Sequence, residues 1–346
     1  MNEPIEQSSR NTARPRGSRI RGWLRDLWRY SSPREPPPPR GNHLDRAAYG
    51  AAQPLLGLRV VFSSPEIFRE AISPVLWLAA ACALWAAFSA TPWHHSLALG
   101  RLKEFYKAFA LLAPFPSIIF ANHYARFAAL VRFQLGFGVF GPREMPITKS
   151  LRRLLQQTIL TALPLPFVWV ASFLPVVGDW LGQALLAIWA LNWVVLDAFD
   201  DANVLQPGQT LADVERESEH LRRPWFVRLL KWLEVKSPLK LRIPFLSAAT
   251  IDSLSKPWRE ESAQLEASPR LGLGFALSTA ALLATPVLNL LFRPVIIAGA
   301  THLLGHIEKD EHAETPEILH EHAPPGELQE EKKPIGERFP DLGKRF

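Results

Sequence analysis

"TPVLNLLFRPVIIAGATHLL", Thr285–Leu304, closes an apolar run that begins at Leu271 and carries a single charge, Arg293. The run is about 34 residues long, roughly 50 Å as a straight helix, against a bilayer core of about 30 Å. Pro286 and Pro294 interrupt it. A proline lacks the N–H that a helix needs and crowds the preceding turn, so a break or kink is expected at each. The reading that fits is a helical hairpin bent near Thr285–Pro286. Its arms are about 15 and 18 residues, roughly 22 and 27 Å, so neither has to cross a bilayer completely. A cation inside a membrane is costly unless it snorkels, pairs or lines water. Arg293 is therefore either a contact for an anionic solute or the partner of an acid such as Asp179. Asn289, one turn earlier, stands where it can bond carbonyls released by Pro294.

Two further runs share this character. Ala71–Phe88 is uncharged, and Thr158–Leu196 holds one charge, Asp179. Both are apolar on all sides and long enough to be membrane-embedded, whereas a soluble helix needs a polar face. In the second run "PVVGD", Pro175–Asp179, is strong turn punctuation that divides it into two arms. Spans are expected at 71–92 and 105–131, the latter interrupted by Pro114 and Pro116, and hairpins at 157–197 and 269–305. The expected fold is an all-α polytopic membrane protein with two spanning helices, two Pro-broken hairpins and interfacial amphipathic helices.

The polar ends carry opposite charge. Residues 1–49 hold ten Arg against five acids, net +5; residues 305–346 hold six Lys or Arg against eleven acids, net −5. Within the basic end, Ile20, Trp23, Leu24, Leu27 and Trp28 fall on one helical face with Arg21, Arg25 and Arg29 away from it. Helix 18–30 either lies in the headgroup plane against anionic lipid or docks on the protein's own polar side. "SSPREPPPPRG", Ser31–Gly41, follows as an extended linker. Basic residues also crowd Arg132–Arg153 and 197–270, whereas the connections 93–104 and 175–179 hold few or none. By the positive-inside rule, both termini and both basic segments are cytoplasmic. The expected divisions are a basic Pro-rich region 1–50, membrane parts 51–204 and 269–305, a polar cytoplasmic insertion 205–268 containing the aromatic helix Pro224–Val235, and a disordered acidic tail 306–346.

"FLPVVGDWLGQALLAIWALNWVVLDAFDD", Phe173–Asp201, and "GFALSTAALLATPVLNLLFRPVIIAGAT", Gly274–Thr301, together resemble the CysZ / etoposide-induced protein superfamily. Pro175 and Gly178 match its Pro-x-x-Gly turn. Asp197 and Asp201 match its paired acids at the membrane exit, with Ala198 and Phe199 in place of Tyr-Pro. Pro286, Leu288, Asn289, Leu290, Pro294, Gly299, Ala300 and Thr301 match its second signature, and Ala113–Phe115 a further segment. The resemblance implies permeation of a small solute, an anion such as sulfate among the candidates, through a homo-oligomer in a bacterial inner membrane. In the sulfate-permease branch, a Pro-Gly-aliphatic-Arg-Arg stretch before the first span is implicated in holding the anion. In "SSPEIFREAISP", Ser63–Pro74, Arg69 remains, while Glu66 and Phe68 replace the glycine and the first arginine. A carboxylate there repels a dianion.

The substrate-binding candidates are thus Arg69, Arg293 and Asn289. Asp197, Asp200 and Asp201 share a helical face and are expected to be solvated or paired. His302, His306, His312, His320 and His322 are read together as a histidine-containing C-terminal stretch, disordered rather than metal-binding. Cys82 is an apolar packing residue. There is no P-loop, dinucleotide fingerprint, nucleophile elbow or HExxH, so neither catalysis nor a cofactor is expected, and a nucleic-acid partner is not. The alternative to transport is a scaffold or accessory subunit that shapes or organises the bilayer.

Overall fold

The structure, a computed structural model, describes residues 25–32, 42–89, 119–171, 177–236, 247–284 and 289–314, with isolated positions 39, 100, 103–105, 107 and 173. Contacts divide the chain into Met1–Ile307 and Glu308–Phe346. The first unit is almost wholly helical among its described residues. Its elements are α1 (His43–Val61), α2 (Pro65–Ser89), α3 (Ala121–Gln134), β1 (Gly141–Pro142), α4 (Ile147–Thr161), α5 (Leu165–Ala171) and α6 (Gly178–Ala202). β2 (Val204–Leu205), α7 (Leu211–His220), α8 (Trp225–Lys236), α9 (Ala248–Ser255), α10 (Arg259–Ala267), α11 (Pro269–Leu283) and α12 (Asn289–Glu314) follow.

The expected all-helical architecture holds, with one addition: β1 and β2 pair antiparallel, Gly141 with Leu205 and Pro142 with Val204. Among the described residues, α2 as far as Phe88 and α6 are long and apolar enough to cross a membrane by length and composition.

The centre of the molecule is α1, which the hydropathy pattern understates. Asn42 caps it by accepting from the Leu44 N–H at 3.2 Å. It makes its most extensive contact with α11. A Cβ on Gly50 would collide with the Leu271 carbonyl, and one on Gly57 with the Val295 carbonyl; Gly274 and Gly299 are the reciprocal small residues, against Ala47 and Gln53. Small residues let helix backbones approach this closely. From Gly57 the neighbours on α12 progress from Val295 and Gly299 to His302 beside Gln53 and His306 beside Tyr49, so α12 runs back along α1. Phe127 and Val131 of α3, Phe199 of α6, Phe275 of α11 and Leu303 of α12 complete the main core. A second cluster joins Leu160, Trp189, Trp193, Phe226, Val227 and Trp258.

Several boundaries shift accordingly. The division at 50/51 falls inside α1. The helix expected as the first span begins at Pro65 rather than Ala71, because Ser64 accepts from the Glu66 N–H at 3.2 Å and starts the helix there. The hairpin arm expected to run unbroken from 157 is cut at 162–164, where a turn and Pro164 separate α4 from α5. Within the insertion 205–268 the described residues hold four α-helices, α7 to α10, of which α8 is the aromatic helix expected at Pro224–Val235. α12 passes the expected end at 305 and continues to Glu314, so the tail boundary at 306 lies within a helix. Of helix 18–30, residues 25–30 are helical and docked on α1. Leu27 is buried, Arg59 stacks 3.9 Å over Trp28 and donates to the Ser31 carbonyl at 3.1 Å. The bend at Thr285–Pro286, the turn residue Pro175 and most of 105–118 lie outside the described residues.

Candidate functional site

Hydrogen bonding across β1 and β2 sets Arg143 and Asn203 side by side, each immediately beyond its strand. Both reach one oxygen of Glu261 on α10: Arg143 Nη1 donates to Oε1 at 3.1 Å and Asn203 Nδ2 at 2.9 Å. Glu261 is fully buried. Burial acts to lower the Arg143 pKa, but Glu261, Asp200 and Glu260 outweigh it and hold the guanidinium more firmly charged than usual. From α4, Arg153 Nη1 lies 2.8 Å from Asp200 Oδ1 while its Nη2 donates to the Pro257 carbonyl at 2.6 Å.

The last helical turn of α6 supplies the other acids. Spacing of i, i+3 and i+4 puts Asp197, Asp200 and Asp201 on one face, and that face looks into protein. Arg293 Nη2 lies 2.7 Å from Asp201 Oδ2 and 3.2 Å from Asp197 Oδ2, and the guanidinium sits 5.5 Å over the Tyr124 ring. Gln157 Nε2 donates to Asp197 Oδ1 at 3.1 Å. A cavity of about 50 Å³ opens between α3, α4 and α6, lined by Arg143, Arg153, Gln157 and the three aspartates. That volume accommodates a few waters. The surrounding network pairs three guanidiniums, of Arg143, Arg153 and Arg293, with five carboxylates, of Asp197, Asp200, Asp201, Glu260 and Glu261. Its sign is acidic, which suits a cation, a proton or water better than an anion.

The three substrate-binding candidates are not gathered into one site by any described contact. Arg293 is engaged by two acids; its partners are Asp197 and Asp201, not Asp179, which is exposed at the start of α6. Arg69 is exposed on α2 and lines a shallow groove with Ser73, Leu76 and Trp77 of the same helix. Asn289 opens α12, and its side chain lies outside the described residues. The motif residues take structural places. Gly178 is buried at the start of α6, Pro294 is buried inside α12, and Gly299 packs on Gln53; Pro286 is outside the described residues.

His302 corrects the tail assignment. It is buried, its Nδ1 lies 2.8 Å from Gln53 Oε1, and its ring stacks edge-on with His306 at 4.6 Å. The pair belongs to the core of the first unit. Arg143, Arg153, Asn203, Glu260 and Glu261 were not singled out by sequence. Arg143 and Glu261 are 118 residues apart, and no local pattern links them. The one available signal was the Asp197, Asp200 and Asp201 face, which calls for cations somewhere. Comparison with family models, with curated proteins and with solved structures finds no match to this chain.

Proposed function

We propose that this chain is an integral membrane protein acting on the bilayer itself, as a non-transporting scaffold or accessory subunit, in a bacterial inner membrane with both termini cytoplasmic. The observation that carries this reading is the hairpin of α5 and α6. Leu165, Phe167, Trp169, Phe173, Val177, Trp180, Leu181, Leu185 and Ile188 are all exposed on it. An apolar surface of that extent has to be covered, and hydrocarbon is the cover that matches all of its sides. The protruding part of α6, Gly178–Ile188, is roughly 16 Å long, about half of a 30 Å hydrocarbon core. A protrusion filling one leaflet displaces lipid asymmetrically, which is how a scaffold bends or organises a membrane.

A second reading, permeation through an assembly of several copies, is supported by the polar cavity at the base of the same hairpin. The excess of carboxylates there favours a cation or proton over a sulfate-like anion. Purified protein in liposomes tests both readings. The scaffold reading expects remodelled vesicles with no sulfate or proton flux above protein-free controls. Flux that scales with protein, on vesicles of unchanged shape, would overturn it.

A further inference from the structure

We infer that α4 and α8 together form a footing seated on an anionic membrane surface, flanking the α5–α6 hairpin; this rests on the membrane reading above. On α4, Ile147, Leu151, Leu155 and Ile159 recur at every fourth position. On α8, Leu229, Trp232 and Leu233 share a face. All seven point outward, from 40% exposed at Leu233 to 73% at Ile147. The packing residues are Ser150, Gln156 and Leu160 on the opposite face of α4, and Phe226 and Val227 in the first turn of α8, all buried.

Both helices meet α6 at one level. Leu160 of α4 and Phe226 of α8 pack on Trp189, whose indole N–H donates to the Leu160 carbonyl at 3.2 Å and whose ring lies 5.2 Å from Phe226. Trp189 is also where α6 changes from exposed apolar residues to buried ones. The two outward stripes therefore flank the hairpin where it leaves the protein body, which is where a headgroup layer begins.

Charge selects the occupant. α4 carries Lys149, Arg152 and Arg153 and no acid; α8 carries Arg228, Lys231 and Lys236 and one acid, Glu234. Glu234 is committed to the Ala248 amide, while Arg153, Arg228 and Lys149 pair with Asp200, Glu266 and Glu215. Arg152, beside the α4 stripe, and Lys236, at the end of the α8 stripe, are exposed, as is Lys231 on the other side of α8. Apolar stripes edged by cations fit an interface rich in anionic lipid.

The test uses the full chain with Cys82→Ala, reconstituted in phosphatidylcholine vesicles containing one third phosphatidylglycerol. Single cysteines at Leu155, Trp232, Leu185 and Arg216 carry an environment-sensitive fluorophore. Labels at 155 and 232 should be quenched by headgroup-proximal doxyl lipid and shielded from aqueous iodide, unlike the label at 216. Doxyl-phosphatidylglycerol should quench them about twofold more than doxyl-phosphatidylcholine, and Arg152→Gln/Lys231→Gln/Lys236→Gln should erase that preference. Iodide quenching at 155 and 232 equal to that at 216 overturns the inference. Shielding from both quenchers also overturns it, because a second copy or another protein then covers the stripes. Equal quenching by the two lipids in the parent protein overturns the anionic preference. If the label at 185 is also open to iodide, the membrane reading itself falls; if 185 is lipid-quenched, only the footing does.

Discussion

The two halves of α6 are both rich in apolar residues and opposite in circumstance. From Gly178 to Ile188 the helix exposes Trp180, Leu181, Leu185 and Ile188, and its described neighbour is α5, where Gly182 meets Val168. From Trp189 to Ala202 it buries Trp189, Trp193, Val195, Leu196, Ala198, Phe199 and Ala202 against α3, α4, α10 and α11. Hydropathy runs continuously through the junction. What divides it is the gathering of other helices around the inner half, which makes one stretch protein core and leaves the other exposed. The inner half then ends in three aspartates that a protein, but not a bilayer, can pair.

The largest expected effect breaks the inner half at those aspartates. Arg293→Leu leaves Asp197 and Asp201 without their cation; removing one partner of a fully buried pair costs about 3–5 kcal/mol, and these half-buried groups should lose about 2–3 kcal/mol. Unfolding in detergent should show that loss, and Asp197→Asn/Asp201→Asn in the same background should recover much of it. A stable Arg293→Leu protein would mean that the pair is solvated and the inner half is not sealed.

Next come two glycines of contrasting setting. At Gly57 a Cβ strikes backbone, the Val295 carbonyl; at Gly182 the nearest atom is a Val168 methyl at 3.0 Å, which can turn aside. Gly57→Ala should therefore cost about 3 kcal/mol, at the upper end of overpacking effects, and Gly182→Ala less than about 1 kcal/mol. Equal losses in thermal unfolding would say that the outer hairpin is as tightly packed as the inner bundle.

A smaller effect is expected in the polar helices beyond α6. Thr210 caps α7, its hydroxyl accepting from the Asp213 N–H at 3.3 Å while Asp213 Oδ2 accepts from the Thr210 N–H at 3.0 Å. Thr210→Ala should cost about 1 kcal/mol. The Thr210 side chain and backbone hold the Asp213 carboxyl below its ordinary pKa. A depressed folded pKa stabilises above the unfolded value, near 3.9, and that contribution disappears as pH falls through the folded one. Asp213→Asn should remove this pH dependence while leaving stability at pH below both values almost unchanged. Parallel stability–pH curves for the two proteins would place the proton elsewhere.

How far the fold was legible follows the same division. Apolar runs announced α2, α6 and α11 because their signal is local, and Pro175–Gly178 marked the α5–α6 connection. α1 escaped because its burial rests on Gly50 and Gly57, which look featureless until two other helices press on them. The acids at 197, 200 and 201 were visible as a face, but Arg143 and Glu261 meet only through a two-residue strand pair. His302 and His306 were read with the polar tail because the charged residues after Gly305 masked a helix that continues. In each miss the deciding partner was remote in sequence.

The smallest expected effect on folding sharpens the comparison most. Trp180→Ser/Leu185→Ser removes two large side chains from the outer half, where they are 77% and 36% exposed. In detergent the substituted protein should unfold within about 0.5 kcal/mol of the parent, as for surface positions. In a bilayer the same change withdraws most of the Trp180 side chain and about a third of Leu185 from hydrocarbon, at roughly 25 cal/mol for each Å² of apolar surface. Vesicle-bound protein should then become extractable by high salt or alkaline carbonate, while the parent stays with the lipid. Near-neutral stability with weakened retention is the signature of a helix whose outer half belongs to the membrane. A loss of several kcal/mol in detergent would instead mean that Trp180 and Leu185 are covered by protein, a second copy included, and the two halves of α6 would no longer differ in kind.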